Sequence, residues 1–216
     1  MLITGCASTT ELTSAAQYRA ITAKERLLSE TFPCCSEFSQ LEYHFLSTNR
    51  TTAVFGGTPA SVYEFDTGKS YIFGIELPAL AAEEIILLRS EMLNGGRGSI
   101  PTVFAPHVLY LNEHYKPVDK STVIALCFHR GWTSADVGYF GKLKSIPSTA
   151  KYAVIFTDLS SIGETIPYSS SAVAAGGGII TDINVEYDFP KSPEGSADIW
   201  IAEHDSRNKS ILGNCW

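Results

Sequence analysis

From about residue 40 onward the chain alternates apolar and polar positions at a period of two, the pattern of half-buried strands. Tyr71, Phe73, Ile75 and Leu77 interleave with Ile72, Gly74 and Glu76, and Pro78 closes the run. Further strand-like runs cover 84–89, 102–111, 122–129, 152–157, 179–187 and 197–203. Turn signals separate them, among them Asn94-Gly95-Gly96, Asn112-Glu113, Arg130-Gly131 and the stretch from Pro190 to Gly195. Many short strands with this punctuation predict a mainly β, β-sandwich-like domain over residues 34–216. Strand and helix do not alternate, which argues against a doubly wound α/β sheet.

The N-terminal part has another period. Leu12, Ala15, Ala16, Tyr18, Ala20, Ile21, Ala23, Leu27 and Leu28 recur at helical spacing among Glu, Gln, Lys and Arg. A short amphipathic helical linker is therefore expected over 11–33, ended by Thr31-Phe32-Pro33 because the residue before proline avoids helical angles. Two later stretches break the strand pattern. Asp158 to Pro167 is polar and is expected to form a short helical turn. Residues 169–178, all Ser, Ala, Val and Gly, read as a long loop.

Composition supports one folded domain. The chain has 216 residues, 44% of them hydrophobic and only 18% charged, enough for a sizeable core. Its net charge of −7 and the lack of a Lys/Arg cluster argue against nucleic acid as a partner. No apolar run reaches the roughly 18–20 residues of a membrane-spanning helix.

Residues 1–10 carry a different signal. Leu2-Ile3-Thr4-Gly5-Cys6 is an apolar residue, small residues and glycine before a cysteine, the bacterial lipobox pattern. Cys6 is the expected lipidation site, and 7–10 the tether. Acyl chains anchor by additive burial, about 0.8 kcal/mol per CH₂. A signal peptide needs a charged start and about 7–15 apolar residues; with five residues before Cys6, the rest of the leader is expected upstream. Ala7 rather than Asp after the cysteine leans toward the outer membrane. The expected location is the periplasmic side of a bacterial envelope.

Export permits disulfides. Four cysteines remain: Cys34, Cys35, Cys127 and Cys215. Neighbouring cysteines bond each other poorly because the eight-membered ring distorts the peptide. A bond from Cys34 or Cys35 to Cys215 is therefore favoured, with Cys127 as a buried free thiol. No Cys-x-x-Cys or paired-histidine spacing supports a metal site, and no cofactor is expected.

Catalytic motifs are missing too. Gly68-Lys69-Ser70 fails as a phosphate loop, since Tyr63 stands where that motif needs glycine and a strand follows it. There is no Gly-x-Ser-x-Gly elbow. A glycosidase pair needs two converging carboxylates, which a sequence does not display. Aromatics are the stronger clue, because sugar rings stack apolar C–H faces on them while polar neighbours bond the hydroxyls. Trp132, Tyr139, Phe140 and Tyr168 are the loop or loop-edge candidates for carbohydrate binding; caps on the core are the alternative. Trp200 reads as a structural strand residue.

Three blocks carry a resemblance. They are Ser99-Ile100-Pro101-Thr102-Val103-Phe104-Ala105-Pro106-His107-Val108-Leu109-Tyr110-Leu111-Asn112, the pair 73–78 and 84–91 upstream, and Lys151 to Asp158 downstream. Together they resemble the maltose operon periplasmic protein family, over roughly residues 70–168. The resemblance implies a periplasmic protein associated with maltose and maltodextrin uptake, here in a lipoprotein variant, with no catalytic residues to carry over. The expectation is thus a non-enzymatic accessory lipoprotein that binds an oligosaccharide through surface aromatics. A structural lipoprotein holding an envelope protein partner, with no small ligand, is the alternative.

Overall fold

The computed structural model describes residues 9–57, 60–93, 100–129, 138–143, 145–176 and 179–203, and side chains within those spans except at 9–13 and 168–187. Helix α1 spans Thr9–Glu30. The strands are β1 (Tyr43–Phe45), β2 (Thr51–Phe55), β3 (Ser61–Phe65), β4 (Gly68–Glu76), β5 (Glu84–Ser90), β6 (Met92–Leu93), β7 (Thr102–Phe104), β8 (His107–Leu111), β9 (Thr122–Val123), β10 (Cys127–His129), β11 (Gly138–Lys142), β12 (Tyr152–Phe156), β13 (Thr165–Gly176), β14 (Ile179–Ser192) and β15 (Gly195–Glu203). Short 3₁₀ turns form at Phe38–Gln40 and Leu159–Ser161. The mainly β, sandwich-like class with an N-terminal helix is what the sequence predicts.

Two sheets make the sandwich. The first runs β1-β4-β12-β8-β9, with β3 also paired to β4; the second runs β10-β11-β5-β15-β2. Their facing surfaces follow the period of two. Tyr71, Ile75, Ala153, Ile155, Val108 and Tyr110 from the first sheet meet Ile86, Leu88, Ala197, Ile199, Ala53 and Phe55 from the second in one buried cluster. Full burial of a large apolar side chain stabilises by about 1.5–3 kcal/mol.

Where expected runs broke in two, the break is a corner of the sandwich. The run 102–111 is β7 and β8, and these lie in different sheets. Pro106, between them, has no N–H to give to a ladder, so a strand cannot run through it unbroken; its carbonyl accepts Ile124 N–H at 2.9 Å. The run 122–129 likewise becomes β9 and β10, again in different sheets.

The stretch 169–178, expected as a loop, is strand β13 as far as Gly176, paired residue by residue with β14 from Thr165↔Pro190 to Gly176↔Ile179. Ser, Ala and Gly have low strand preference. The partner's strong alternation makes them a strand, so local composition misleads here. β14 joins β7 and β6 in a third sheet.

Helix α1 buries Ala16, Ala20, Ala23 and Leu27. That one-sided spacing lets small side chains bring the helix close to β4, β7 and β14. Its C-terminal end is served from outside: Lys69 Nζ donates to the Leu28 and Thr31 carbonyls, both at 2.9 Å. A cation there meets the negative end of the helix dipole. This is the role of the lysine in Gly68-Lys69-Ser70. No described helix is long and apolar enough to cross a membrane.

Candidate functional site

The predicted ligand aromatics divide into two groups. Trp132 lies outside the described residues, as do Cys6 and Cys215. Tyr168 lies in strand β13 rather than in a loop, and its side chain is outside the description. Tyr139 and Phe140 are not surface rings: they are 0% and 1% exposed at the centre of β11. Being adjacent on a strand, they enter opposite faces of the sheet. Tyr139 packs with Ile100, Val103 and Phe189. Phe140 packs with Leu87 and Trp200. Trp200 is buried in β15, as expected for a structural residue.

The cysteines pair differently from the expectation. Cys34 and Cys35 are bonded to each other, with their Cα atoms 3.7 Å apart and no cis peptide between them. The ring that makes vicinal pairing unfavourable in a free chain is tolerated where tertiary contacts hold the backbone. Cys34 N–H donates to the Val62 carbonyl at 2.8 Å, and Cys35 forms a β-bridge with Tyr63. Cys127, expected as a free thiol, is disulfide-bonded.

The vicinal pair begins a segment that lies on the outer face of the first sheet. That face presents Ile72, Leu109, Leu111, Val154 and Phe156, and Leu41, Phe38 and Cys35 cover them. Phe38 stacks on Tyr63 with centroids 4.4 Å apart. Tyr63 meets Phe65 edge-on at 5.0 Å, and Phe65 stacks on Phe156 at 4.4 Å. The segment is held by Gln40 Oε1, which accepts the Ser36 N–H at 2.8 Å, and by Tyr43 Oη, which donates to the Phe38 carbonyl at 2.8 Å.

A second aromatic group adjoins it. Asn112 Oδ1 accepts the N–H groups of His114 and Lys116 at 2.9 and 3.1 Å. The resulting turn puts Tyr115 at φ 58°, a left-handed conformation rare for a bulky residue. Its ring lies 4.6 Å from Tyr152 and 5.4 Å from Tyr43. Tyr43 fits because residue 74 is glycine: a Cβ there would come within 2.7 Å of the Glu42 carbonyl and 3.0 Å of the Tyr43 ring.

Between the two groups opens a shallow cleft of about 260 Å³ lined by Ser36, Glu37, Phe38, Ser39, Tyr63 and the 114–117 turn. The phenols of Tyr43, Tyr63 and Tyr152 stay protonated across the physiological range. Burial raises Tyr43, helped by Tyr115 and Tyr152. Burial also raises Tyr63, with Glu37 and Asp66 adding to it. The hydrogen bond with Tyr115, at 3.3 Å, pushes Tyr152 up to about 12. These tyrosines are therefore neutral, amphipathic surfaces with a polar tip.

A larger cavity, about 390 Å³, lies near His107, Asp158, Glu164 and Lys191. Lys191 Nζ is bonded to Glu164 at 2.7 Å. Burial lowers His107, against the raising effect of Asp158. Asp158 is raised by burial but ends below the usual carboxylate range, because Ser160 N–H and Oγ–H both bond it. Each charged group here is engaged in holding the 158–164 turn, and no metal-ligating group of three side chains forms among the described residues.

No family model matches the chain, and neither the curated proteins nor the solved structures hold a match. The cleft was not legible in advance as a site. Two signals for it were present: the period-two pair Tyr63 and Phe65, and the Asn112 turn running into Tyr115. Neither tells that residues 34–40 and 112–117 meet.

Proposed function

We propose that this chain is a non-enzymatic, lipid-anchored protein of the bacterial envelope that binds carbohydrate, of the maltose or maltodextrin type, on the outer face of its first sheet. The observation that carries the binding reading is the cleft between Phe38–Tyr63 and Tyr115. Its aromatic wall offers the apolar surface that a pyranose C–H face needs. Ser36, Glu37, Ser39, His114 and Lys116 at its rim supply donors and acceptors for hydroxyls. Its volume lies just under the roughly 300–1,000 Å³ of drug-sized pockets and suits one or two sugar rings. The likeness to the maltose operon periplasmic protein family supports the choice of sugar. Its three blocks fall on β4–β5, β7–β8 and β12, and β4, β12 and β8 are neighbours in the sheet that carries the cleft.

Isothermal titration of the chain with maltose, maltotriose, cellobiose and chitobiose tests the reading. The α-linked sugars are expected to bind, and Tyr63→Ala to weaken them by roughly tenfold, the loss of one stacking surface. Silence from every sugar sinks the reading and favours the alternative, a module that holds an envelope protein partner.

The anchor is tested separately. Expressed in a bacterial host behind a lipoprotein signal sequence, the chain is expected to take up labelled palmitate and sediment with membranes. Cys6→Ala is expected to abolish the label. Uptake of label by the alanine variant removes Cys6 as the anchor.

A further inference from the structure

The Cys34–Cys35 bond encloses nothing. The entropy a disulfide removes from the unfolded chain grows with the number of residues in its loop, and this one joins residues one position apart. It staples no two elements of the sandwich together, so its consequence is confined to the backbone on either side of it. That backbone is the start of the cleft wall. Cys34 N–H is bonded to Val62 and Cys35 is bridged to Tyr63. Three residues later Phe38 lies stacked on the same Tyr63. The bond therefore sets the path of the chain between a fixed point on β3 and the ring that forms the wall. Access is asymmetric: Cys34 is exposed, while Cys35 is half-buried against the apolar cluster of the sheet.

We propose that Cys34–Cys35 is a redox-exchange site whose partner is a thiol or dithiol reductant, and that its state controls the cleft. An incoming thiolate attacks the exposed Cys34 sulfur. The S–S bond breaks, Cys35 leaves as a thiolate and takes up a proton, and a mixed disulfide forms on Cys34. A second thiol of the reductant attacks the mixed disulfide and releases Cys34 as a thiol. Two electrons and two protons pass to the protein, and the reductant leaves as its own disulfide. In the dithiol state the eight-membered ring is open, residues 34–36 regain conformational freedom, and Phe38 loses its fixed seat on Tyr63. The oxidised state is the one with a formed cleft. The effect on sugar affinity rests on the carbohydrate reading above; the effect on the segment does not.

Two measurements on the whole chain separate these. Hydrogen exchange is followed in the oxidised chain, in the chain treated with dithiothreitol, and in Cys34→Ser/Cys35→Ser, which lacks the vicinal bond but keeps the Cys127 disulfide. Maltotriose is titrated into all three. Exchange over the 34–41 peptide is expected to quicken about tenfold in the reduced chain and in the double variant, with β4 and β12 unchanged. Maltotriose is expected to bind the oxidised chain about tenfold more tightly than either. Equal exchange in all three forms overturns the proposal. So does faster exchange with equal sugar affinity, which removes control of the cleft. Faster exchange with no sugar bound by any form upholds the redox-exchange site and removes the carbohydrate reading instead.

Discussion

Asp198→Ala is expected to lower the stability of the domain by about 3–5 kcal/mol, a large share of the roughly 5–15 kcal/mol a folded domain has. Asp198 is 6% exposed on β15 and sits directly across from Arg89 on β5 and from Thr52 on β2. Arg89 is itself 8% exposed. Its Nη2 donates to Asp198 Oδ2 at 2.7 Å and to Glu91 Oε1 at 2.8 Å. Thr52 Oγ1 donates to Asp198 Oδ1 at 2.7 Å. Removing the carboxylate leaves a buried guanidinium without its buried counter-charge. The cost comes from that stranded charge more than from the lost attraction. The control is therefore the double change Arg89→Met/Asp198→Leu, which removes both charges and is expected to cost far less than either single change. Urea unfolding of Asp198→Ala, Arg89→Met and the double variant decides it; a single variant within about 1 kcal/mol of the parent refutes the argument.

Tyr139→Ala is expected to cost a further large amount, about 3–5 kcal/mol, as deletion of a buried ring from a packed core does. The ring is fully buried, edge-on to Phe128 at 5.4 Å and to Phe189 at 6.1 Å. Its hydroxyl donates to the Pro167 carbonyl at 3.4 Å. That bond is long, so Tyr139→Phe is expected to cost no more than about 1 kcal/mol. Tyr139 is also far from the cleft in kind: it joins β11 to the third sheet. Any folded fraction of the alanine variant should therefore bind sugar as the parent does. A clear loss of affinity at unchanged stability would return Tyr139 to the ligand site.

Tyr139 lies on a strand, β11, that the period-two pattern does not reveal. Gly138-Tyr139-Phe140-Gly141 carries two large rings between glycines, and a pattern of exposed loop aromatics fits it equally well. Gly141 shows why the sequence was ambiguous. A Cβ there would come within 2.7 Å of Ile124 and 2.9 Å of the Ala125 carbonyl. The glycine permits another segment to pass close over the strand, whereas in isolation it reads as a turn. The vicinal disulfide was missed for the opposite reason. A rule about strain in a free dipeptide is sound, and the tertiary contacts of Cys34 with Val62 and of Cys35 with Tyr63 override it.

What the sequence determined by itself is the set of local alternations. The runs in β4, β5, β12 and β15 send alternate apolar side chains into the sandwich core because those side chains must leave water. That the residues between them, such as Ile72, Leu87, Val154 and Trp200, are buried as well is the work of what packs on the outer faces. The helix and the 3₁₀ turn capped by Asp158 are likewise local. Tertiary structure decided which strands became neighbours, where the sandwich turned its corners at Pro106, and which aromatics stayed in reach of solvent. Burial is a property of what packs on top of a residue. Tyr139 and Tyr63 look alike in the chain; one is covered from every side, and the other forms a wall because residues 34–40 and 112–117 stop short of closing over it.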